Sequence, residues 1–191
     1  GYTGTLHPDR IDVALVQNLA AAFPSGTVAL VGPDYLPDED RKRLDLCGNV
    51  VRTGAVPYRD LPAYMRSFDV CVTPHRMTPF TESLNPIKLW EYLAAGKPIV
   101  ATDVAGFRDH PRLVRIARDG AGFVAAVREA LAGEAPGLAE QRREFAAGQS
   151  WESRLDAVEQ VIDVCIRGES ETPETPGADV RRKARRWAST W

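Results

Sequence analysis

The sequence predicts an α/β fold: a doubly wound, Rossmann-like parallel sheet of about six strands with helices on both faces. Three observations carry that expectation. Short runs such as Thr27–Val31 and Ile99–Thr102 are continuously apolar rather than alternating, as strands covered on both faces require. Nearly every such run is followed by an amphipathic stretch that can serve as a right-handed crossover helix. At 191 residues, with 44% hydrophobic and 26% charged side chains, the chain has the size and mix of one soluble domain of ordinary dimensions.

The elements follow in order. Gly1–Leu6 reads as a strand, and Ile11–Phe23 as a helix with Val13, Val16, Leu19 and Ala20 on one face. Thr27–Val31 is a strand stopped by Gly32 and Pro33. Leu36–Leu46 is a short helix with its acids first, and Asn49–Thr53 a strand ending at Gly54. Leu61–Phe68 is helical and Val70–Thr73 a strand. Asn85–Ala95 forms a helix, Ile99–Thr102 a strand, and Leu113–Ala117 the last strand. Helices close the domain at Gly120–Ala132, Leu138–Phe145 and Trp151–Ile166, and no internal repeat is visible.

Residues 1–167 are expected to form this domain, and residues 168–191 a polar linker and basic tail. The linker, Gly168–Gly177 (GESETPETPG), is too polar to pack. The tail, Arg181–Trp191 (RRKARRWASTW), carries five cations and two Trp. Two readings stay open for it: a contact with an anionic membrane surface or a partner, or a solvated charge run.

Composition excludes several classes. With 24 basic against 26 acidic side chains, no global field draws the chain to nucleic acid. No apolar run approaches the roughly 18 residues of a membrane span, and no signal peptide opens the sequence. Cys47, Cys71 and Cys165 are far apart and lack CxxC spacing, which argues against a disulfide framework or zinc site and for a reducing cytoplasm.

One segment is more specific than the rest: Pro74–Asp103, PHRMTPFTESLNPIKLWEYLAAGKPIVATD. Asn85 is a strong N-cap residue, Pro86 suits the first helical position, and Gly96 suits the left-handed residue beyond the helix end, before Pro98. A loop entering a helix at the carboxyl edge of a parallel sheet lies where ligands bind, and the helix N-terminus offers free N–H groups to a phosphate. Lys88 lies in the first turn and Glu91 three residues on, on the same face. That carboxylate can accept both hydroxyls of a ribose while Lys88 and the backbone hold phosphate oxygens. From spacing alone, a solvated Lys88–Glu91 pair is the simpler account.

The run Asn-Pro-x-Lys-x-x-Glu-Tyr-x-Ala-x-Gly-Lys-Pro at residues 85–98 closely resembles the C-terminal half of GT-B glycosyltransferases. The preceding TES and the upstream NVVRTGAVPYRDLPAYMRSFDVCVTP share in that resemblance. It is similar in particular to the retaining group that includes bacterial polysaccharide and lipid-sugar transferases. The likeness extends from about Gly1 to Ile166, through the opening GYTGTLHPDRID and the closing AGQSWESRLDAVEQVI.

The resemblance implies a donor-binding domain that takes a nucleotide-diphosphate sugar, such as a UDP or GDP sugar, without metal or other cofactor. It implies that Glu91 binds the ribose hydroxyls. Gly4, Thr5, Arg10 and Lys88 would serve the phosphates, and Gly54, Ala55 and Val56 the base. The loop Glu82, Ser83, Leu84 and Asn85 would face the donor sugar and distal phosphate. Two departures stand out. Eight residues separate Glu82 from Glu91 where the family often has seven, so Ser83 takes the strict position; and Thr5 stands where an Arg is usual.

A complete GT-B enzyme has a second, N-terminal domain that supplies the acceptor site and further catalytic groups. The chain alone is therefore expected to bind donor but not transfer it, in the cytoplasm or at the inner face of the membrane. Half of a sugar-nucleotide epimerase of the same fold, or a non-catalytic nucleotide-sugar-binding module, are the competing readings.

Other features are expected to be structural. Asp38, Glu39 and Asp40 resemble a metal-holding DxD motif but open a helix, where acids favour the dipole. His7, His75 and His110 lack metal spacing, although His75 and Arg76 fall in the active loop. Trp90 and Tyr92 read as packing residues. No GxGxxG follows the first strand and no GxxxxGK[ST] occurs, which argues against dinucleotide and ATPase chemistry.

Overall fold

Among the described residues six short strands pair entirely in parallel. They are β1 (Tyr2–Thr3), β2 (Val28–Val31), β3 (Val50–Gly54), β4 (Cys71–Thr73), β5 (Ile99–Thr102) and β6 (Arg115–Ala117). They form two three-stranded sheets, β1-β2-β3 and β4-β5-β6. Gly1 joins them: its amino group donates to the Val70 carbonyl at 2.7 Å, and its own carbonyl accepts from the Val72 N–H at 2.8 Å. β1 therefore lies beside β4, and the spatial order is β3-β2-β1-β4-β5-β6. The winding direction reverses between β1 and β4, so the crevice beyond their carboxyl ends is the switch point of the fold.

This computed structural model describes residues 1–149, 155–156 and 158–162. Residues 1–147 form one unit; in the second, residues 148–191, positions 155–156 and 158–162 are helical. The rest of the helix expected over Trp151–Ile166, the linker, the basic tail and Cys165 lie outside the described residues.

Continuous apolar strands feed both faces. Leu30, Val70, Val72 and Val100 join one buried cluster with α1 (Val13–Ala22), Leu44 of α2 (Asp38–Asp45) and Phe123 and Val127 of α6 (Gly120–Ala132). Their neighbours Val31, Cys71, Ile99 and Ala101 point into a second cluster with α3 (Leu61–Ser67), α5 (Ile87–Ala94) and, at its rim, Phe145 of α7 (Leu138–Ala147). Burial pushes the Cys71 thiol up to about 11, so it behaves as a small apolar side chain.

Aspartate side chains cap the starts of α1 and α6. Asp12 accepts from the Leu15 N–H at 3.0 Å and Asp119 from the Gly122 N–H at 2.7 Å. Asp38, Glu39 and Asp40 occupy the first turn of α2, and Asp38 and Asp40 pair with Arg41 and Arg43. Among the described residues no group of three or more His, Cys, Asp or Glu gathers as for a metal ion. No helix among them is long and apolar enough to cross a membrane.

The start of α5 corrects the expectation that Asn85 caps it. Pro86 holds the cap position in an extended conformation (φ −76°, ψ 113°), and no side chain caps the helix. Pro86 packs so closely on Gly106 that a Cβ there would lie 2.7 Å from its Cδ; this contact anchors the helix start in place of the Asn85 side chain. Between β4 and α5 a four-residue helix not expected from the sequence, α4 (Pro79–Glu82), is closed by reciprocal Thr78–Thr81 hydrogen bonds.

Candidate functional site

The loops beyond β1 and β4 are zipped together at the switch point. The Asp12 N–H donates to the Pro74 carbonyl at 2.9 Å, the Arg76 N–H donates to the Arg10 carbonyl at 2.7 Å, and Ile11 bridges His75. Backbone pairing thus brings Arg10 and His75, 65 positions apart, to one edge. Gly4 adopts φ +128° there, and its carbonyl lies so near Gly32 that a Cβ on Gly32 would meet that oxygen at 2.2 Å. Both positions require glycine.

Helix α5 is hooked to β1 by two side chains one turn apart. Tyr92 is fully buried, and its hydroxyl accepts from the Thr3 N–H at 2.8 Å. Lys88 donates from Nζ to the Tyr2 hydroxyl at 2.7 Å, with Nζ 4.2 Å from the Tyr2 ring centroid. The Tyr2 hydroxyl in turn donates to the Thr5 carbonyl at 3.2 Å. A Cβ on Gly4 would lie 2.9 Å from Lys88 Nζ. Gly4, Thr5 and Lys88 therefore meet as expected, and Tyr2 is the piece that the sequence reading did not single out.

The electrostatics are those of a site short of negative charge. Burial pushes the Lys88 amine down to about 7, the Arg10 guanidinium adds to that, and Glu91 opposes it. Burial, with Lys88 and Arg10, pushes the His75 imidazole down to about 3, so it is neutral. His75 is 3% exposed, and among the described residues its Nε2 has no hydrogen-bond partner; neither has the buried Arg10 Nε. Unpaired buried polar atoms are rare because they forfeit water. Here they stand with the Lys88 amine near the start of α5, which no side chain caps, an arrangement that can accept an anion.

Glu91, on the same helix, accepts from the Tyr58 hydroxyl at 3.2 Å, and its carboxylate holds the Tyr58 phenol above the usual range. That contact draws the turn after β3 toward α5. Gly54 turns the chain there with φ +71°, and Val56 packs on the second core cluster. A cleft of about 620 Å³ opens at Glu91, lined also by Tyr58, Leu61, Met65, Ala95 and Lys97. It takes in neither Lys88 nor Arg10. A second hollow of about 450 Å³, at Gln17, Cys47 and Asn49, gathers none of the candidate residues.

The loop of Glu82, Ser83, Leu84 and Asn85 borders the site without joining the cationic cluster. Glu82 pairs with Arg108 at 2.7 Å, Arg108 also pairs with Asp103 at 2.8 Å, and the Ser83 hydroxyl donates to the Phe80 carbonyl. Of the residues set aside earlier, Trp90 and His110 pack against each other and against Phe145, with centroids 5.1 to 5.9 Å apart. His7 lies near Asp9 at 3.5 Å.

The fold, wound about this switch point, defines a Rossmann-like domain of the GT-B glycosyltransferase type. The chain belongs to the glycosyl transferases group 1 family, whose model matches residues 1–135. It is 33% identical over 105 residues to TuaH of Bacillus subtilis, named provisionally as a teichuronic acid biosynthesis glycosyltransferase; the match covers 54% of this chain and 26% of that protein. Among solved structures, HepE from Anabaena in complex with UDP and glucose is similar with a TM-score of 0.59 and 19% identity, over 84% of this chain and 47% of that one. Sucrose-phosphate synthase from Thermosynechococcus elongatus is similar with a TM-score of 0.63 and 21% identity, over 88% and 46%. The chain thus spans about a quarter of the curated relative and under half of each of these solved chains.

Proposed function

We propose that this chain is the donor-binding part of a glycosyltransferase that moves a sugar from a nucleotide-diphosphate sugar to a glycan, lipid or small-molecule acceptor. The observation that carries this reading is the cationic cluster of Lys88, Arg10 and neutral His75 at the switch point, beside Glu91 and the turn Gly54–Val56. Ribose hydroxyls donate to Glu91, the base lies along Gly54, Ala55 and Val56, and the diphosphate reaches Gly4, Thr5, Arg10 and Lys88. As the sugar–phosphate bond breaks, charge develops on the leaving diphosphate, and Arg10, Lys88 and the start of α5 stabilise it. A partner domain preceding this one supplies the acceptor site, so residues 1–191 bind donor without transferring sugar. The UDP held by HepE, a structure of the same fold, supports a nucleoside diphosphate as the ligand class.

Calorimetric titration with UDP, GDP, ADP and CMP tests this. One diphosphate is expected to bind selectively. Glu91→Ala is expected to weaken it about 30- to 150-fold, the range for two to three kcal/mol of hydrogen bonding to a charged group. Arg10→Ala is expected to weaken diphosphates far more than nucleosides. Equal losses for both ligand types would overturn the phosphate role of Arg10.

A further inference from the structure

Lys88 is held by a hydroxyl and an aromatic ring rather than by a carboxylate. From β1, Tyr2 presents a phenol that burial raises above its usual range, so it stays protonated. From the loop after β1 comes the Arg10 guanidinium, and from the loop after β4 the His75 imidazole, which burial holds neutral at neutral pH. From α5 itself comes Glu91, whose hydrogen-bond partner is Tyr58. A partly buried ammonium beside a fixed guanidinium, with one carboxylate engaged elsewhere, is electrostatically disfavoured until an anion arrives.

We infer that ligand binding here is coupled to protonation: the Lys88 amine, held by the Tyr2 hydroxyl and ring while the nearest carboxylate, Glu91, accepts from Tyr58, takes a proton from solvent as a diphosphate enters. The inference rests on the donor-site reading and adds its regulation. The neutral amine keeps two cations from crowding the empty site, and the anion restores the ammonium that binds it. The sign follows from linkage. A group whose proton is bound more tightly in the complex gives an affinity that falls as pH rises through the free-state value. With that value near 7, affinity is expected to fall about 50-fold between pH 7 and pH 9.

The test is calorimetric titration of residues 1–191 with UDP and GDP in buffers of different ionisation enthalpy. The dependence of heat on buffer counts protons. Near pH 8 the uptake is expected to be close to one proton per diphosphate bound, with none for uridine or guanosine. Lys88→Arg keeps its charge at every pH, so it is expected to abolish the uptake and flatten the pH dependence. Binding without uptake, or uptake unchanged in Lys88→Arg, would overturn the coupling and leave the donor site standing.

If neither nucleotide binds, the donor-site reading fails by itself, and a ligand-free measurement still decides the state of the amine. The chain has four lysines. In carbon-13 NMR of their ε-carbons, the resonance lost in Lys88→Arg is expected to titrate near pH 7, and to move upward on adding pyrophosphate. Titration in the ordinary lysine range would overturn the inference whatever the ligand.

Discussion

The Tyr58 hydroxyl donates to Glu91 Oε1 at 3.2 Å, across 33 positions of sequence, and joins the turn after β3 to helix α5. One carboxylate oxygen is thereby oriented. Tyr58 is 75% exposed, so its hydrogen bond carries little stability. Tyr58→Phe is expected to weaken nucleotide binding two- to fivefold, about 0.5–1 kcal/mol, with an unchanged Tm. A loss as large as that of Glu91→Ala in the same titration would show that Tyr58 contacts the ligand itself.

Gly32 and Gly4 touch the same backbone but are expected to fail differently on substitution. Gly32→Ala sets a Cβ against the Gly4 carbonyl, which cannot move aside, and it does so at φ +145°. Several kcal/mol of stability are expected to be lost, roughly the scale of an overpacked core, visible as a large fall in Tm. Gly4→Ala meets the mobile end of Lys88 instead. About 1 kcal/mol of backbone strain is expected there, with the larger effect on diphosphate affinity.

Tyr92→Phe removes the acceptor of the Thr3 N–H in a fully buried place. The stranded donor is expected to cost about 1–3 kcal/mol in denaturant unfolding. Because Lys88 makes the other hook to β1, Tyr92→Phe is also expected to loosen nucleotide binding. Unaltered affinity would show that Lys88 alone positions α5.

Arg142, 1% exposed, donates to Glu134 and to the Leu113 carbonyl, and Arg115 also pairs with Glu134. Burial by itself raises the Glu134 carboxyl, but hydrogen bonds from Arg142 and Arg115 outweigh it and hold the carboxyl below the ordinary range. A depressed carboxyl contributes its full stability above the unfolded value, about 4.3, and loses it as pH falls through the folded one. Glu134→Gln is expected to cost about 3 kcal/mol at neutral pH by leaving Arg142 buried without a counter-charge, and to flatten the acid limb of the stability curve. Chemical denaturation at pH 7 and pH 4 measures both.

Local signals read most of the fold. β5 and α6 coincide with their expected bounds, since Pro98 and Asp119 mark their starts unambiguously. β1 is shorter than Gly1–Leu6 because Gly4 turns the chain against Gly32, and Leu6 keeps only an isolated bridge to Asp34. The α5 start misled because Asn85 is a good cap by type, whereas a tertiary contact between Pro86 and Gly106 selected the boundary. The candidate site divides the same way. Lys88, Glu91, Arg10 and Gly4 stand in motif positions, but the roles of Tyr2 and Tyr58 depend on contacts 86 and 33 residues away. For Tyr2 one sequence signal existed: a tyrosine in a strand covered on both faces must find a partner for its hydroxyl.

The seam between the two half-sheets runs through β1 and β4, the same strands whose loops carry Arg10 and His75. Any opening that parts the halves also dismantles the place where an anion would sit. An occupant of the switch point would act as a rivet across that seam, adding RT ln(1 + [L]/Kd) to the stability of the whole unit. Hydrogen exchange at the Val72 amide, which donates to Gly1 across the joint, would slow in step with occupancy.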